Sequence, residues 1–419
     1  MTAFGLLGFI AVLMVGGYAI DVGNAVTART QLQAATDSAA HAALMTREFH
    51  SEADSKQAGV TIAEDNMPPS VFGYVIDPSD ITFGKWDLNS ETFTPVAGST
   101  EAVRVIAHRN ETRANAVRTY LLGLVGLKDW NLITGSIYRT YYPTCLMEGF
   151  VAEGVVDVQS NNTYQNGFCI HSNTYVSINS NNTFEPGTVV SMPDLSLLDL
   201  PNSGFKTNDG LQDALRQGSW NIRILSRIQG IIDGLKSFDP HYSRDYISSN
   251  SIVTLTGKKV TQADLVPGHI HVATCGSGGG HLTIDNNVDM GDVVLLTDCK
   301  IQFNQGVVVH DAVIATTSTS AKSMVASSGL QVGLNDNCAP GGGAQLLTLG
   351  SMDFPSDLKI YGSQLLAQYD VSFSANANGI QGAAIVAGGE ISGTSNMDMG
   401  FCGTGMEHNF EAAYFKLAL

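Results

Sequence analysis

The chain has 419 residues, a net charge of −17, 44 glycines, 12 prolines and 44% hydrophobic residues. That length allows two or three domains, and so much apolar side chain excludes a disordered polymer. The acidic balance argues against a nucleic-acid binder, whose footprint should be basic.

Residues 1–20 read MTAFGLLGFIAVLMVGGYAI and contain no Asp, Glu, Lys, Arg or His. About twenty apolar residues in a helix cover roughly 30 Å, the hydrocarbon thickness of a bilayer. A secretory signal peptide is the competing reading. It needs a basic start and a shorter apolar stretch, whereas no Lys or Arg precedes this run. Helical character continues past Asp21, with Leu32, Ala35, Ala39, Ala42 and Ala43 at three-to-four spacing. Pro68-Pro69 is a hard stop. The expectation is one long helix over residues 1–67, transmembrane or pilin-like at its N-terminal end and emerging near Asp21. Gly5, Gly8, Gly16 and Gly17 suit close packing against neighbouring helices.

From residue 68 to about 145 the period changes to that of a small α+β domain. Residues 81–87, 102–108 and 132–142 alternate as strands, and residues 91–95 suggest a turn and return. Residues 114–124 read as a helix striped by Val117, Leu121 and Leu124. His108 and Arg109 fall on the polar side and read as a solvated face.

Two segments carry a family resemblance. The first is AIDVGNAVTARTQLQAATDSAAHAAL, with Asp21, the pair Leu32-Gln33 and Asp37 in an Ala-rich stretch. The second is DITFGKWDLNSETFTP followed by EAVRVIAHRN. Over residues 1–145 the chain resembles the TadE/TadG-like Flp (tight adherence) pilus-assembly proteins. That resemblance implies a bacterial protein, anchored in the inner membrane or associated with a pilus, that faces the periplasm. Relatives with a von Willebrand A domain carry an Asp-x-Ser-x-Ser metal motif. The nearest stretch here, Asp194-Leu195-Ser196-Leu197-Leu198, fails at its last position.

The six cysteines are Cys145, Cys169, Cys275, Cys299, Cys338 and Cys402, with separations of 24, 106, 24, 39 and 64. No CxxC occurs, which excludes a zinc ribbon or a thioredoxin motif. An even count in an exported chain favours disulfides, although six cysteines allow fifteen pairings. The repeated 24 is about one turn of a β-solenoid. Equivalent positions on stacked turns lie about 4.8 Å apart, within disulfide reach. The expected pairs are therefore Cys145–Cys169, Cys275–Cys299 and, by elimination, Cys338–Cys402.

Residues 146–419 carry further signs of stacking. Ser160-Asn161-Asn162-Thr163-Tyr164 recurs 20 residues later as Ser180-Asn181-Asn182-Thr183-Phe184. Short apolar runs, such as 282–284, 293–296, 313–315, 346–349 and 383–386, alternate with Gly, Asn, Asp and Ser turns. The expected fold class is an α+β N-terminal part followed by an all-β right-handed parallel β-helix, with a β-sandwich as the alternative. A helical insertion is expected at about 205–240, where Ile224, Ile228, Ile231 and Leu235 recur at helical spacing. It would form a lateral lobe or a cap, and residues 410–419 would cover the other end.

No catalytic motif stands out. Asp285, Asn287 and Asp289 resemble a calcium loop, but Met290 and Leu296 occupy the positions that need Gly and Glu. His269, His271 and His281 surround Cys275 without a clear further metal ligand. Asp289 with Asp292, or Asp298 with Asp311, are the carboxylate pairs that stacking would bring together for glycoside chemistry. The reading is a non-enzymatic structural or adhesive pilus component with no cofactor and no metal. Its partners would be other pilus subunits, the inner membrane and surface glycans, with no nucleic acid. The alternative is a membrane-anchored β-helix protein that binds or cleaves polysaccharide.

Overall fold

The helical pattern breaks once. The computed structural model describes residues 2–276, 280–393 and 396–419. It places a helix α1 over Thr2–Arg47 and a second, α2, over Glu52–Asn66, in place of one continuous helix. The break has a local cause. Ser51 caps α2 by accepting from the Asp54 N–H, and Glu52 and Asp54 sit in the first turn, where the helix dipole favours acids. The Arg47 guanidinium donates to the His50 carbonyl at 2.7 Å and closes the turn.

The two helices pack through small residues, with Ala39 and Ala43 of α1 and Val60 and Ala63 of α2 all buried. Gly59 permits the approach. A Cβ there would lie 3.1 Å from the Ala39 carbonyl oxygen, 3.2 Å from the Ala43 Cβ and 2.9 Å from Ile81. Gly59→Leu should therefore overpack this seam and lower stability by about 1–3 kcal/mol, read as a drop in the thermal midpoint of the full chain. An unchanged midpoint would mean that the helices do not meet at this glycine.

Beneath the helices lies a five-stranded antiparallel sheet. Its strands in chain order are β1 (Ile81–Asp87), β2 (Thr92–Pro95) and β3 (Ala102–Arg109). After a small two-stranded hairpin, β4 (Val117–Arg118) with β5 (Asp129–Trp130), comes β6 (Leu132–Tyr141). Val103, Val105 and Ala107 point into the core with Leu32, Ala35 and Leu44 of α1. The fifth strand is the C-terminal segment Tyr414–Leu417, paired with β6. Residues 414–417 thus complete this sheet and do not cap the β-rich region. The free edge of β6 supplies the partner, and Leu419 adds a further carbonyl to the Ile137 N–H. The expected helix over 114–124 is also absent. Ala114 turns left-handed, at φ 54°, and Asn115 binds backbone groups of Asn110, Tyr74 and His108. This fixes the chain in the β4–β5 hairpin.

Residues 142–412 form a second compact unit, mostly β and dominated by one long parallel sheet of 23 strands. Its strands pair in register with strands of neighbouring repeats: Ile170 with Phe150 and Val190, and Val294 with Ile270 and Val313. The 20-residue repeat lies in adjacent strands, where Phe184 pairs with Tyr164 and their rings stack at 4.9 Å. Asn161 and Asn181 take matching left-handed turns, each at φ 63°. Apolar side chains on one side of the sheet form a continuous core that includes Phe150, Phe168, Phe303 and Phe354.

The chain enters this sheet in its middle. Gly149–Ala152 pairs with Cys169–Ser172 on one side and with the end of Val371–Ala387 on the other. The strands run outward to Leu215–Gln217, restart at the opposite end with Ile252–Leu255, and return until they meet the first strand. The connecting segment contains the helix Ile228–Lys236. Its Ile228, Ile231, Ile232 and Leu235 cover the outer side of the sheet over Ile270, Val294, Val313 and Leu347. The insertion is a lateral lobe, as an apolar stripe that finds an apolar sheet face requires. Disulfides join Cys145 to Cys169, Cys275 to Cys299 and Cys338 to Cys402, with Cα separations of 5.0, 5.3 and 5.7 Å.

Candidate functional site

The residues with the most specific geometry lie where α1 stops being uncharged. Asp21 is fully buried. One carboxylate oxygen accepts the Tyr120 N–H at 2.6 Å, and the other accepts those of Leu121 at 2.9 Å and Leu122 at 2.6 Å. These amides open the short 3-10 turn Leu122–Val125 at the tip of the β4–β5 hairpin, where helical backbone leaves its N–H groups unpaired. An acceptor bearing a full negative charge answers that need and the positive end of the turn together. Burial would push the Asp21 carboxyl up, but the N–H groups of Leu122, Tyr120 and Leu121 together outweigh it and hold the group below the usual range.

Further contacts lock the tip to α1. The Asn24 amide donates to the Arg118 carbonyl at 3.3 Å. Leu121 lies against Gly17, where a Cβ would come within 2.9 Å of it.

The other signature residues serve the same helix further along. Leu32 is buried, and the Gln33 amide donates to Asp37 at 2.8 Å and to the Gly135 carbonyl of β6 at 3.1 Å. Thr36 meets Thr134 at 2.7 Å, hydroxyl to hydroxyl. Asp21, Leu32, Gln33 and Asp37 therefore hold α1 in place. Asp21 fixes the hairpin, and the other three set the helix on β6. None is arranged as a nucleophile, acid or base.

Residues 149–403 match the family described as Domain of unknown function (DUF7867), which is more than half of the chain. The chain belongs to that family. Ahead of the DUF7867 region, residues 1–46 match the putative Flp pilus-assembly TadE/G-like family, and residues 33–137 match the putative Tad-like Flp pilus-assembly family. The TadE/G-like match includes Asp21, Leu32, Gln33 and Asp37, and the Tad-like match includes the hairpin that Asp21 holds. No curated protein and no solved structure matches the chain. Among the described residues no helix is long and apolar enough to cross a membrane. Part of the expected span falls outside the description: Met1 entirely, and the side chains of Thr2, Ala3, Leu7, Ile10 and Leu13.

Within the DUF7867 region the polar candidates do not converge. Asp285 pairs with Lys259 at 2.8 Å, while Asp289 faces His310 at 2.9 Å, so the calcium-like loop does not close on a common point. Asp298 accepts the N–H groups of Cys275 and Gly276. Asp311 accepts that of Gly342 at 2.8 Å and also touches His310. Of the expected carboxylate partners, the bridge through His310 joins Asp289 to Asp311, not to Asp292. His271 is buried and accepts the Val266 N–H, and burial holds its pKa down. His281 is exposed beside Lys300, and His269 turns to the Pro267 carbonyl. Cys275, Asp298 and Cys299 approach one another as a metal triad would, but both sulfurs are used in a disulfide.

Two buried features have no counterpart among the sequence motifs. Glu148 is buried and accepts the backbone N–H groups of Cys402 at 2.6 Å and of Gly403. Burial pushes its carboxyl up more than those two N–H groups pull it down. The second feature is a ladder of buried asparagines in which Asn162, Asn182 and Asn208 each accept a backbone N–H from the neighbouring layer. The recurrence of Ser-Asn-Asn-Thr was the available signal for that ladder. Glu148 had none.

Proposed function

We propose that the protein is a structural or adhesive component of a Tad (Flp) pilus system, carried at the cell envelope by its N-terminal helix. The observation that carries this reading is the pair of pilus-assembly matches over residues 1–137, whose signature residues are the ones that lock α1 to its sheet and hairpin. The exposed apolar side chains of α1, among them Phe4, Phe9, Val12, Val15, Tyr18 and Ile20, support anchoring in the inner membrane or packing against neighbouring pilus helices. So large an apolar surface is not left in water.

In this reading the DUF7867 region is a right-handed parallel β-helix presented outside the cytoplasm. Support comes from the uniformly parallel pairing of its long sheet and from the strong preference of parallel crossovers for the right hand. The three disulfides fit an oxidising compartment. The role is presentation rather than catalysis, and surface glycans are the class of ligand such a face would meet.

Fractionation of cells that express the full chain, followed by capture with tagged pilus-machinery subunits, tests the proposal. The protein should sediment with membranes or sheared pili and be captured. Recovery as a free soluble protein with no pilus subunit attached would overturn it.

A further inference from the structure

We infer that the β4–β5 hairpin is a second membrane contact, its tip seated in the headgroup layer of the bilayer that anchors α1. This rests on the membrane-anchored form of the proposal above. At the tip, Tyr120, Leu124 and Leu127 are 69%, 85% and 58% exposed, and Leu121 is also exposed. Four large apolar side chains within eight residues are unusual on a surface loop, where polar turn residues are the rule.

The tip is tied to α1 where the uncharged run ends. Leu121 rests on Gly17, Asp21 holds the amides of residues 120–122, and Asn24 holds Arg118. The tip is thus held at the stretch of α1 where Tyr18 and Ile20 are also exposed. An anchor that leaves the bilayer near Asp21 brings Leu124 and Leu127 to the boundary between acyl chains and headgroups.

Charge agrees. Arg118 and Lys128, both exposed, flank the tip, and residues 119–127 between them hold no acid. Asp129 faces Arg118 across the hairpin, and Arg113 is taken by Asp77 and Asp80. Cations at the foot of an apolar tip are placed to meet anionic headgroups. Tyr120 adds an amphipathic ring of the kind that collects at this depth. The bound carboxylate of Asp21 also removes three backbone N–H groups that would otherwise be costly to bury in lipid.

The test uses the full chain reconstituted into phosphatidylcholine–phosphatidylglycerol vesicles that contain nitroxide-labelled lipid. The described cysteines are all in disulfides, so a single added cysteine takes the fluorophore. Leu124→Cys reports the tip and Val12→Cys the anchor. His50→Cys is the aqueous control, roughly 40 Å of helix beyond Asp21. The Leu124 probe should shift to the blue and lose roughly half its emission to shallow nitroxides, as a side chain 5–10 Å into the interface does. Arg118→Glu with Lys128→Glu should reduce that quenching.

A solvent-like, unquenched Leu124 probe beside a quenched Val12 probe would overturn the inference and leave the anchor standing. Loss of quenching at both sites would remove the anchor as well. A blue-shifted Leu124 probe that lipid nitroxides do not quench would overturn the inference in favour of a protein neighbour.

Discussion

Asn182→Leu should lower the stability of the 142–412 unit by about 2–4 kcal/mol. Asn182 is buried, and its side-chain oxygen accepts the Asn162 N–H at 2.9 Å while its amide donates to the Asn179 carbonyl at 3.0 Å. Leucine keeps the branched four-atom outline of the side chain but is bulkier, and it can make neither bond. It leaves both backbone groups unpaired in the core, at about 1–3 kcal/mol each. The Asn208 oxygen also loses the donor of the Asn182 amide, though it keeps the Asn182 N–H. Hydrogen exchange on the full chain, resolved by peptide, should show faster exchange across residues 156–209. Thr183→Ala, one residue along and exposed, should stay within about 0.5 kcal/mol of the parent. Equal effects from the two changes would mean that the ladder contributes no more than a surface residue.

The ladder also shows how far the sequence carries. The recurrence at 160–164 and 180–184 is local, so the stacking of those two repeats was legible, down to the pairing of Tyr164 with Phe184. The strands at 81–87, 102–108 and 132–142 were legible for the same reason, since alternation is a property of neighbouring residues.

What escaped was non-local. The Met397 N–H reaches the Asn162 oxygen across a sequence separation of 235 residues. No local pattern announces that a chain will enter its sheet in the middle and close on its first strand. The C-terminal strand at 414–417 escaped likewise, because its partner β6 is defined only once the first sheet exists.

The hairpin at 117–130 was misread for a different reason. Leu121 and Leu124 sit at helical spacing, and the pattern does not show that the amides ahead of Leu122 are already taken by a carboxylate 99 to 101 residues earlier in the chain. In each case a contact from far along the chain outweighed a valid local preference.

Asp21→Ala should free the hairpin while leaving the rest of α1 in place. Alanine removes the acceptor for three N–H groups at once. Their exchange with solvent deuterium should accelerate roughly ten- to a hundredfold, the factor that one or two lost buried hydrogen bonds imply. The amides of residues 32–37 should be unaffected, because Leu32, Gln33 and Thr36 keep their own partners on β6.

Asp21→Asn should fall between the parent and alanine. Its one carbonyl oxygen can keep the two bonds to Leu121 and Leu122, but its NH2 then faces the Tyr120 N–H, donor against donor.

Acid should mimic the substitution. The folded carboxyl is held below its ordinary value, so its stabilisation is complete above the unfolded value of about 3.9. It is lost as pH falls through the folded value. Faster exchange at Tyr120, Leu121 and Leu122 should therefore appear only below about pH 4 in the parent and be independent of pH in Asp21→Ala, after correction for intrinsic exchange. Protection of those three amides that survives both acid and alanine would show that the hairpin is held by Leu121 packing on Gly17, and that the charge at the end of the apolar run serves some other purpose.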